Sequence, residues 1–292
     1  MAQINDTLSA TNLLANMLQE AIFTASEKSI AGKLVTVYDM TGTPGLTAQI
    51  PVYPEITAST PADGVDVTAS EDFAPAVANI TASEIVTRVD VTDLLAESSA
   101  QNLAADVGTM IGNAIGEKVD TDVFAQFASI TAQINTSGAT AGELTPTDVL
   151  QAIYTLRGTN APTDADGDYY CVVNPSVAFS LAKALTQAGY ASSGATAISN
   201  LGNSMLSSSA YMGKIFNCKV FQSTSVAVDS ASDSIGAVFS PQAFGHVIKR
   251  PLIIREQRDE SLRLTEYVGV TAVGNGILKN SYAVKLKGTP QI

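Results

Sequence analysis

Few side chains in this sequence could carry out chemistry. His246 is the only histidine, so a zinc site with several histidine ligands is impossible, and a Ser–His–Asp triad would need this one residue. His246 stands between two predicted strands, where we expect a hydrogen-bonded structural role. The sequence has no nucleophile elbow, P-loop or dinucleotide-binding glycine pattern, and we expect a turn at Gly274 to Gly276.

The acidic residues give little support for a metal site. Asp164, Asp166 and Asp168 alternate as they would in a calcium loop, but Gly167 is at the fourth position instead of the sixth and no glutamate closes the loop. We therefore expect an exposed acidic turn. Neighbouring carboxylates elsewhere lie in polar stretches, where nothing predicts a raised pKa or glycosidase chemistry. The sequence thus favours a protein that is not an enzyme and needs no cofactor.

The composition agrees with a self-assembling protein. The chain has 292 residues and a net charge of −12, and only 15% of its residues are charged, while 46% are hydrophobic. So little charge leaves much surface to be covered by partners. No apolar run approaches 18 residues and the N-terminus lacks the pattern of a secretory signal, so no membrane contact is expected. Cys171 and Cys218 are too few for a disulfide framework, which favours a reducing compartment.

A strand followed by a long helix is the clearest structural pattern. Hydrophobic alternation predicts a strand that ends at Thr92, and Thr92 is a plausible N-cap for a short helical turn. A single helix is then expected from Ser99 to Ile130, on the order of 48 Å long. Its predicted apolar stripe consists of Leu103, Val107, Met110, Ile111, Ala114, Ile115, Val119, Phe124 and Phe127.

Three glycines interrupt this predicted helix at four-residue spacing. Gly108, Gly112 and Gly116 each cost about 1 kcal/mol relative to alanine in a helix interior, so packing from outside must hold the helix. Because the glycines share one face, they allow a neighbouring element to approach closely. We expect that element to be the sheet of the same domain.

The remaining segments divide into shorter predicted elements. Residues 1–32 are an amphipathic arm, and 53–79 form a polar stretch that cannot fold alone. Further strands are expected at 33–37, 49–52, 169–173 and within 211–226, helices at 145–157 and 175–187, and a loop at 190–209. The last strands, expected in one closing sheet, are 237–239, 252–254, 262–273 and 282–286.

The order and spacing of these segments resemble the major capsid proteins of tailed bacteriophages with the HK97 fold. The resemblance includes the Val-Thr-Asp-Leu-Leu segment at 91–95, which leads into the predicted helix, and Asn174-Pro175 after a buried strand. It implies an α+β capsid fold. The implied parts are an N-terminal arm over 1–32, an extended E-loop hairpin with its flanking strands over 33–92, the spine helix of a peripheral domain over 93–144, an axial domain over 145–235 and closing strands of the peripheral domain over 236–292.

The resemblance also implies a function. It predicts a protein that assembles as hexamers and pentamers into an icosahedral shell around double-stranded DNA, forms in the host cytoplasm and becomes part of the virion. Portal, scaffolding and decoration proteins are the implied partners, and a scaffolding protein, if used, would be separate. The alternatives are an encapsulin-like bacterial compartment and, from another class, a surface-layer or filament protein.

Charge suggests how such subunits would contact one another. The predicted E-loop region has no lysine from residue 50 to 87, so a lysine crosslink of the kind seen in one family member is not expected. Opposite charge is the predicted substitute, the alternative being that both regions are solvated faces. The candidate contact residues are Glu55, Asp63, Asp66, Glu71 and Asp72 on one side and Lys249, Arg250, Arg255, Arg258 and Arg263 on the other.

Overall fold

The computed structural model describes residues 7–54, 56, 58, 60–64, 66, 74–98, 103–135, 142–186, 210–229 and 233–289. Its helices are α1 (Thr7–Lys28), α2 (Ala31–Leu34), α3 (Asp93–Ser98), α4 (Leu103–Phe124), α5 (Pro146–Gly158) and α6 (Pro175–Thr186). Its strands are β1 (Thr36–Asp39), β2 (Thr47–Val52), β3 (Ala76–Thr81), β4 (Ser83–Thr92), β5 (Gln133–Asn135), β6 (Tyr169–Val173), β7 (Tyr211–Ile215), β8 (Cys218–Gln222), β9 (Ser234–Phe239), β10 (Phe244–Asp259), β11 (Leu264–Ile277) and β12 (Ala283–Gly288).

The strands form two main sheets and a ribbon. A four-stranded sheet has the order β1-β10-β11-β4, with β1 parallel to β10 and the other pairs antiparallel. A six-stranded mixed sheet has the order β5-β12-β9-β6-β8-β7. Strands β2 and β3 pair only with each other among the described residues and make an antiparallel ribbon.

The four-stranded sheet carries α4 on one face. The predicted alternation of β4 is confirmed, since Ile85 and Val91 are buried while Glu84, Val86 and the other outward residues are exposed. Thr92 accepts a hydrogen bond from the Leu95 amide at 3.4 Å, as expected of an N-cap for α3. The strand therefore places α4 across the sheet, as its sequence predicts.

The predicted long helix is shorter and its buried stripe narrower than expected. Helix α4 ends at Phe124 and tightens into a 3-10 turn over Ala125–Ser129, while the expected start at Ser99 lies outside the described residues. Most of the apolar stripe is buried or half-buried, but Met110 is 58% exposed and Ala114 is also exposed. Both residues lie on the edge of the buried face.

The glycine row of α4 packs against α1, and the prediction that it packs against the sheet is wrong. A Cβ atom at Gly108 would lie 2.6 Å from the Met17 carbonyl oxygen, and one at Gly112 would lie 2.5 Å from that of Ala21. Because the contact residues advance together along both helices, α1 and α4 run parallel. The predicted arm is therefore, from Thr7 onward, a helix lying on its own subunit.

The face of α4 that packs against the sheet consists of the aliphatic residues beside the glycines. A Cβ at Gly269 of β11 would lie 2.6 Å from Cγ2 of Ile111, which shows how tightly the helix sits on the strand. Met17 and Ala21 of α1 complete the same core. By contrast, Ile22 of α1 is 48% exposed.

The six-stranded sheet is covered on one face by α5 and α6. Strand β6 is buried along its whole length, and Pro146 opens α5 behind a Thr145–Asp148 capping box. The two helices and β6 lie close to their predicted positions. The loop expected at 190–209 lies outside the described residues.

The predicted single closing sheet is wrong. Strands β10 and β11 belong to the four-stranded sheet, whereas β9 and β12 pair with β6 and β5 in the six-stranded sheet. The residues of a short apolar strand do not indicate which strand it pairs with, because such strands have similar sequence patterns. Strand β9 therefore lies beside β6 instead of beside β10 and β11.

The turn expected at Gly274 to Gly276 is also wrong, because these residues lie inside β11. A Cβ at Gly274 would be 2.7 Å from the Thr81 carbonyl oxygen, and one at Gly276 would be 2.8 Å from Cγ1 of Ile80. The glycines therefore allow β3 to approach β11 closely, which is a known role of glycine within a strand.

Candidate assembly surfaces

Two of the predicted basic contact residues are neutralised within their own chain. Arg258 binds Asp93 through two bonds, of 2.5 and 2.7 Å, and also contacts Glu260 at 3.3 Å. Arg250 pairs with Glu84 at 2.9 Å. These ion pairs are half exposed, so each contributes little to stability. They do fix the tip and the middle of the four-stranded sheet.

Three other predicted basic residues differ in their surroundings. Lys249 donates a hydrogen bond to the Thr43 carbonyl oxygen. Arg263 has a positive φ of 54° in the β10–β11 turn, and its carbonyl accepts a bond from the Asp93 amide. Arg255 is exposed and forms no ion pair with any residue that the structure describes. It is thus the predicted basic residue most available to another molecule.

The predicted acidic residues are only partly placed. Asp63 and Asp66 are exposed in the connection between β2 and β3. Glu55, Glu71 and Asp72 lie outside the described residues. The structure therefore brings none of the described acidic candidates onto the basic ones within one chain. The partners that sequence reasoning missed are Asp93 and Glu260. Asp93 becomes a neighbour of Arg258 only once β10, β11 and β4 are in register, whereas Glu260 is two residues away along the chain.

The acidic turn before β6 surrounds a lysine. Lys219 Nζ lies 3.1 Å from Asp164, 2.6 Å from Asp166 and 3.9 Å from Asp168. Lys214 approaches the buried Asp168 carboxylate to 2.6 Å. The turn was expected to be exposed, which holds for Asp166 but is wrong for Asp168, whose side chain is only 3% exposed. The Lys219 ammonium group therefore lies among the three carboxylates of the turn.

Tyr170 completes this network. Its hydroxyl donates a 2.7 Å bond to Asp164, and burial together with that bond raises the pKa of Tyr170 to about 12. The same hydrogen bond lowers the pKa of Asp164. The network is thus a fixed structural element in which Asp164 is ionised at neutral pH.

A second buried carboxylate fastens the N-terminal helix. Asp120 on α4 accepts hydrogen bonds from the Ser29 hydroxyl at 2.7 Å and from the amides of Ile30 and Ala31 at 3.1 and 3.0 Å. Burial raises the pKa of Asp120 above its usual 3.8, although these hydrogen bonds act in the opposite direction. The contact holds the junction between α1 and α2 against α4.

The residues considered for catalysis have structural surroundings. His246 is buried within β10, and its Nδ1 lies 2.6 Å from the Asn275 side-chain oxygen. Cys171 and Cys218 are buried and reduced, and burial raises the pKa of the Cys218 thiol, which makes it unreactive. In the described part of the chain, no cluster of three or more His, Cys, Asp or Glu side chains could hold a metal ion.

Several large apolar side chains are exposed, and none of them is among the contact residues predicted from the sequence. Leu150 and Tyr154 of α5 are 46% and 77% exposed, and Phe216 at the β7–β8 turn is 48% exposed. Leu94 and Leu262, at the tip of the four-stranded sheet, are exposed by 76% and 61%. Spacing could have revealed Leu150 and Tyr154, which lie one helical turn apart. No helix within the described ranges is long and apolar enough to span a membrane.

Comparison with known proteins identifies the family. A family model described as "Phage capsid protein" matches residues 80–280. The chain belongs to this family. The match begins in β3 and ends after β11, so it includes α4 and every strand of the two main sheets except β1 and β12.

Solved capsid structures share the fold at low sequence identity. A chain from Mycobacterium phage Che8 is 18% identical and superposes with a TM-score of 0.68 over 88% of this chain and 90% of its own. The capsid of cyanophage P-SCSP1u is 21% identical, with a TM-score of 0.65 over 90% and 89%. A virus-like particle from Pyrococcus furiosus is 12% identical, with a TM-score of 0.61 over 94% and 98%. Among curated protein sequences, none matches significantly.

These likenesses confirm the predicted fold class and family. The capsid protein has the α+β HK97-like fold, and the likeness extends along about nine tenths of the chain. It is a structural protein of a phage capsid shell. The domain boundaries and the charge-matched contact residues remain predictions.

Proposed function

We propose that this capsid protein assembles as hexamers and pentamers into a closed icosahedral shell that encloses double-stranded DNA. Portal, scaffolding and decoration proteins are its proposed partners, and assembly takes place in the host cytoplasm before the shell becomes part of the virion. The role is structural rather than enzymatic. The observation that carries the proposal is that capsid chains share the fold over almost the full length of both molecules.

The β2–β3 ribbon and its connection form the proposed E-loop. Residues in this connection are exposed where the structure describes them, among them Tyr53 at 58% and Ile56 at 68%. Such apolar exposure in a polar segment is expected of a part that is ordered by a neighbouring subunit. We propose that the connection extends over an adjacent copy, where Asp63 and Asp66 approach Arg255.

A deletion tests this assignment. Removal of residues 58–69 spares both ribbon strands and every core residue that the structure describes, so the variant is expected to fold with an unchanged melting temperature but to form no shells. Negative-stain microscopy and size-exclusion chromatography separate the two outcomes. Normal shells from the deletion variant would refute the E-loop assignment.

The second candidate is an encapsulin-like compartment that encloses a protein cargo. The likeness to the virus-like particle from Pyrococcus furiosus favours keeping it, because that chain is matched over 98% of its length. The net charge of −12 fits either content, since an acidic wall repels DNA without needing to bind it. Analysis of shells purified from infected cells decides the matter: nuclease-protected DNA supports the phage shell, and a single enriched protein supports the compartment.

A further inference from the structure

The β7–β8 hairpin ends in an aromatic residue at a position that normally disfavours it. Ile215 pairs with Cys218, which leaves Phe216 and Asn217 as a two-residue turn with φ values of 49° and 63°. Such turns prefer Asn or Asp followed by Gly, because both central residues have positive φ. A bulky residue there is a backbone outlier. Because Phe216 is 48% exposed, burial within its own chain does not compensate for the strain.

An open apolar depression, here called the α5 cavity, lies on the outer side of α5. Its lining residues all belong to this helix, and its volume is about 580 Å³. Its apolar wall is formed by Leu150, Ile153 and Tyr154, and Arg157 lies at its rim. Leu150 and Tyr154 face solvent rather than another part of the described chain. The cavity therefore offers apolar side chains that an aromatic side chain can contact.

The hairpin and the cavity are at opposite sides of the six-stranded sheet. Helix α5 packs against β5, β12 and β9, whereas β7 is the far edge strand. At about 4.8 Å per strand, β5 and β7 are separated by roughly 24 Å. Complementary patches on opposite sides of one subunit produce a head-to-tail contact, which closes into a ring when the rotation permits.

The charges beside the two patches are complementary. Arg157 is exposed and forms no ion pair within the described ranges. The turn that contains Asp166 carries three carboxylates against two lysines, which leaves one negative charge. This turn adjoins the hairpin, because the Tyr169 amide donates a 3.0 Å bond to the Asn217 carbonyl. The aromatic tip thus lies beside the net negative charge of the acidic turn, and Arg157 places a positive charge beside the cavity.

We propose that Phe216 of one copy inserts into the α5 cavity of the next copy and joins the subunits head to tail in each ring. The inference rests on the proposed function, since it names the contact that builds the hexamers and pentamers. The occupant is a second copy of this chain, because the chain itself carries both halves of the contact. The contact between subunits then accounts for the strained backbone at Phe216.

Substitution of Phe216 separates assembly from folding. Phe216→Gly removes the side chain and relieves the positive φ, so its melting temperature should equal or exceed that of the wild type. Its assembly yield should fall by about tenfold or more, as for a truncated aromatic anchor, and Tyr154→Ser should behave likewise. Phe23→Ser is the matched control, since Phe23 is 61% exposed on α1, and it should assemble normally.

Cysteine pairs test the direction of the contact. Asn217→Cys and Gln151→Cys leave Phe216 and the apolar wall intact, and the native cysteines are buried. Under mild oxidation a mixture of the two variants should give disulfide-linked dimers, while each variant alone should not. Dimers from one variant alone, or normal assembly of Phe216→Gly, would overturn the proposal while shells still form. Wild-type protein that forms no shells would instead overturn the proposed function.

Discussion

The parallel contact of α1 with the glycine row of α4 predicts a sharp difference between neighbouring glycines. In Gly112→Ala, the new Cβ would lie 2.5 Å from the Ala21 carbonyl oxygen and 2.9 Å from Thr24 Cβ. A backbone oxygen cannot rotate away. Since ordinary contact begins at 3.4 Å, α1 must retreat by roughly 0.9 Å or accept overpacking.

The magnitude follows from two opposing effects. Overpacking of a tight interior costs about 1–3 kcal/mol, while alanine in place of glycine returns about 1 kcal/mol of helix propensity. The net expectation is a loss of about 1 kcal/mol for Gly112→Ala and of about 3 kcal/mol for Gly112→Leu. At Gly116 the Cβ would be 3.2 Å from the Ala25 oxygen, so there propensity should win.

The assay is urea unfolding of the purified protein, followed by circular dichroism, for each variant. Gly158→Ala is the control for propensity alone, because nothing lies within 4 Å of the added Cβ at the end of α5. The expected order of unfolding free energy places Gly112→Leu lowest, Gly112→Ala next, and Gly116→Ala and Gly158→Ala at or above the wild type. Equal stability of Gly112→Ala and Gly116→Ala would refute the close contact of the two helices.

Three further predictions concern charge. Because burial raises the pKa of Asp120, its protonated form favours folding. The stability that Asp120 contributes is present below pH 3.8 and declines as pH rises through the folded pKa. Asp120→Asn should abolish that decline in pH-dependent urea unfolding, and an unchanged profile would contradict the assignment. Lys219→Gln leaves the carboxylates around it undercompensated and should lower the unfolding free energy by about 1–3 kcal/mol. Lys118→Gln, in an exposed pair, should change it by under about 0.5 kcal/mol, and equal effects would contradict a stabilising role for the Lys219 network. Arg255→Glu should reduce shell yield, and Asp63→Lys in the same chain should restore part of it. Shells should also lose stability in about 1 M salt, where the Debye length falls to ~3 Å. Salt-independent shells without rescue would show that apolar burial, not charge, holds the subunits together.

Local structure could be predicted where one pattern dominated. The alternation before Thr92 predicted β4, and Pro146 after Thr145 predicted the start of α5. The glycine row predicted close packing on α4 but not the partner, because both a sheet and a helix accept small residues at that spacing. The partner became visible only with α1 in place.

Contacts that depend on distant strands could not be predicted. The neutralisation of Arg258 by Asp93 requires β11 to lie between β10 and β4 in one register. The lysine within the acidic turn requires β8 to run beside β6, and no local pattern links Lys219 to Asp164. The exposed Phe216 was missed for a different reason, since its significance comes from a backbone angle that sequence does not display.

Electron microscopy of the chain expressed alone, followed by reconstruction of the particles, tests the central claim most directly. The account predicts closed shells of uniform size whose reconstruction resolves rings of five and six subunits, with Phe216 of each subunit facing α5 of the next. Filaments, flat sheets or monomers at assembly concentrations would contradict the claim that this chain builds an icosahedral capsid.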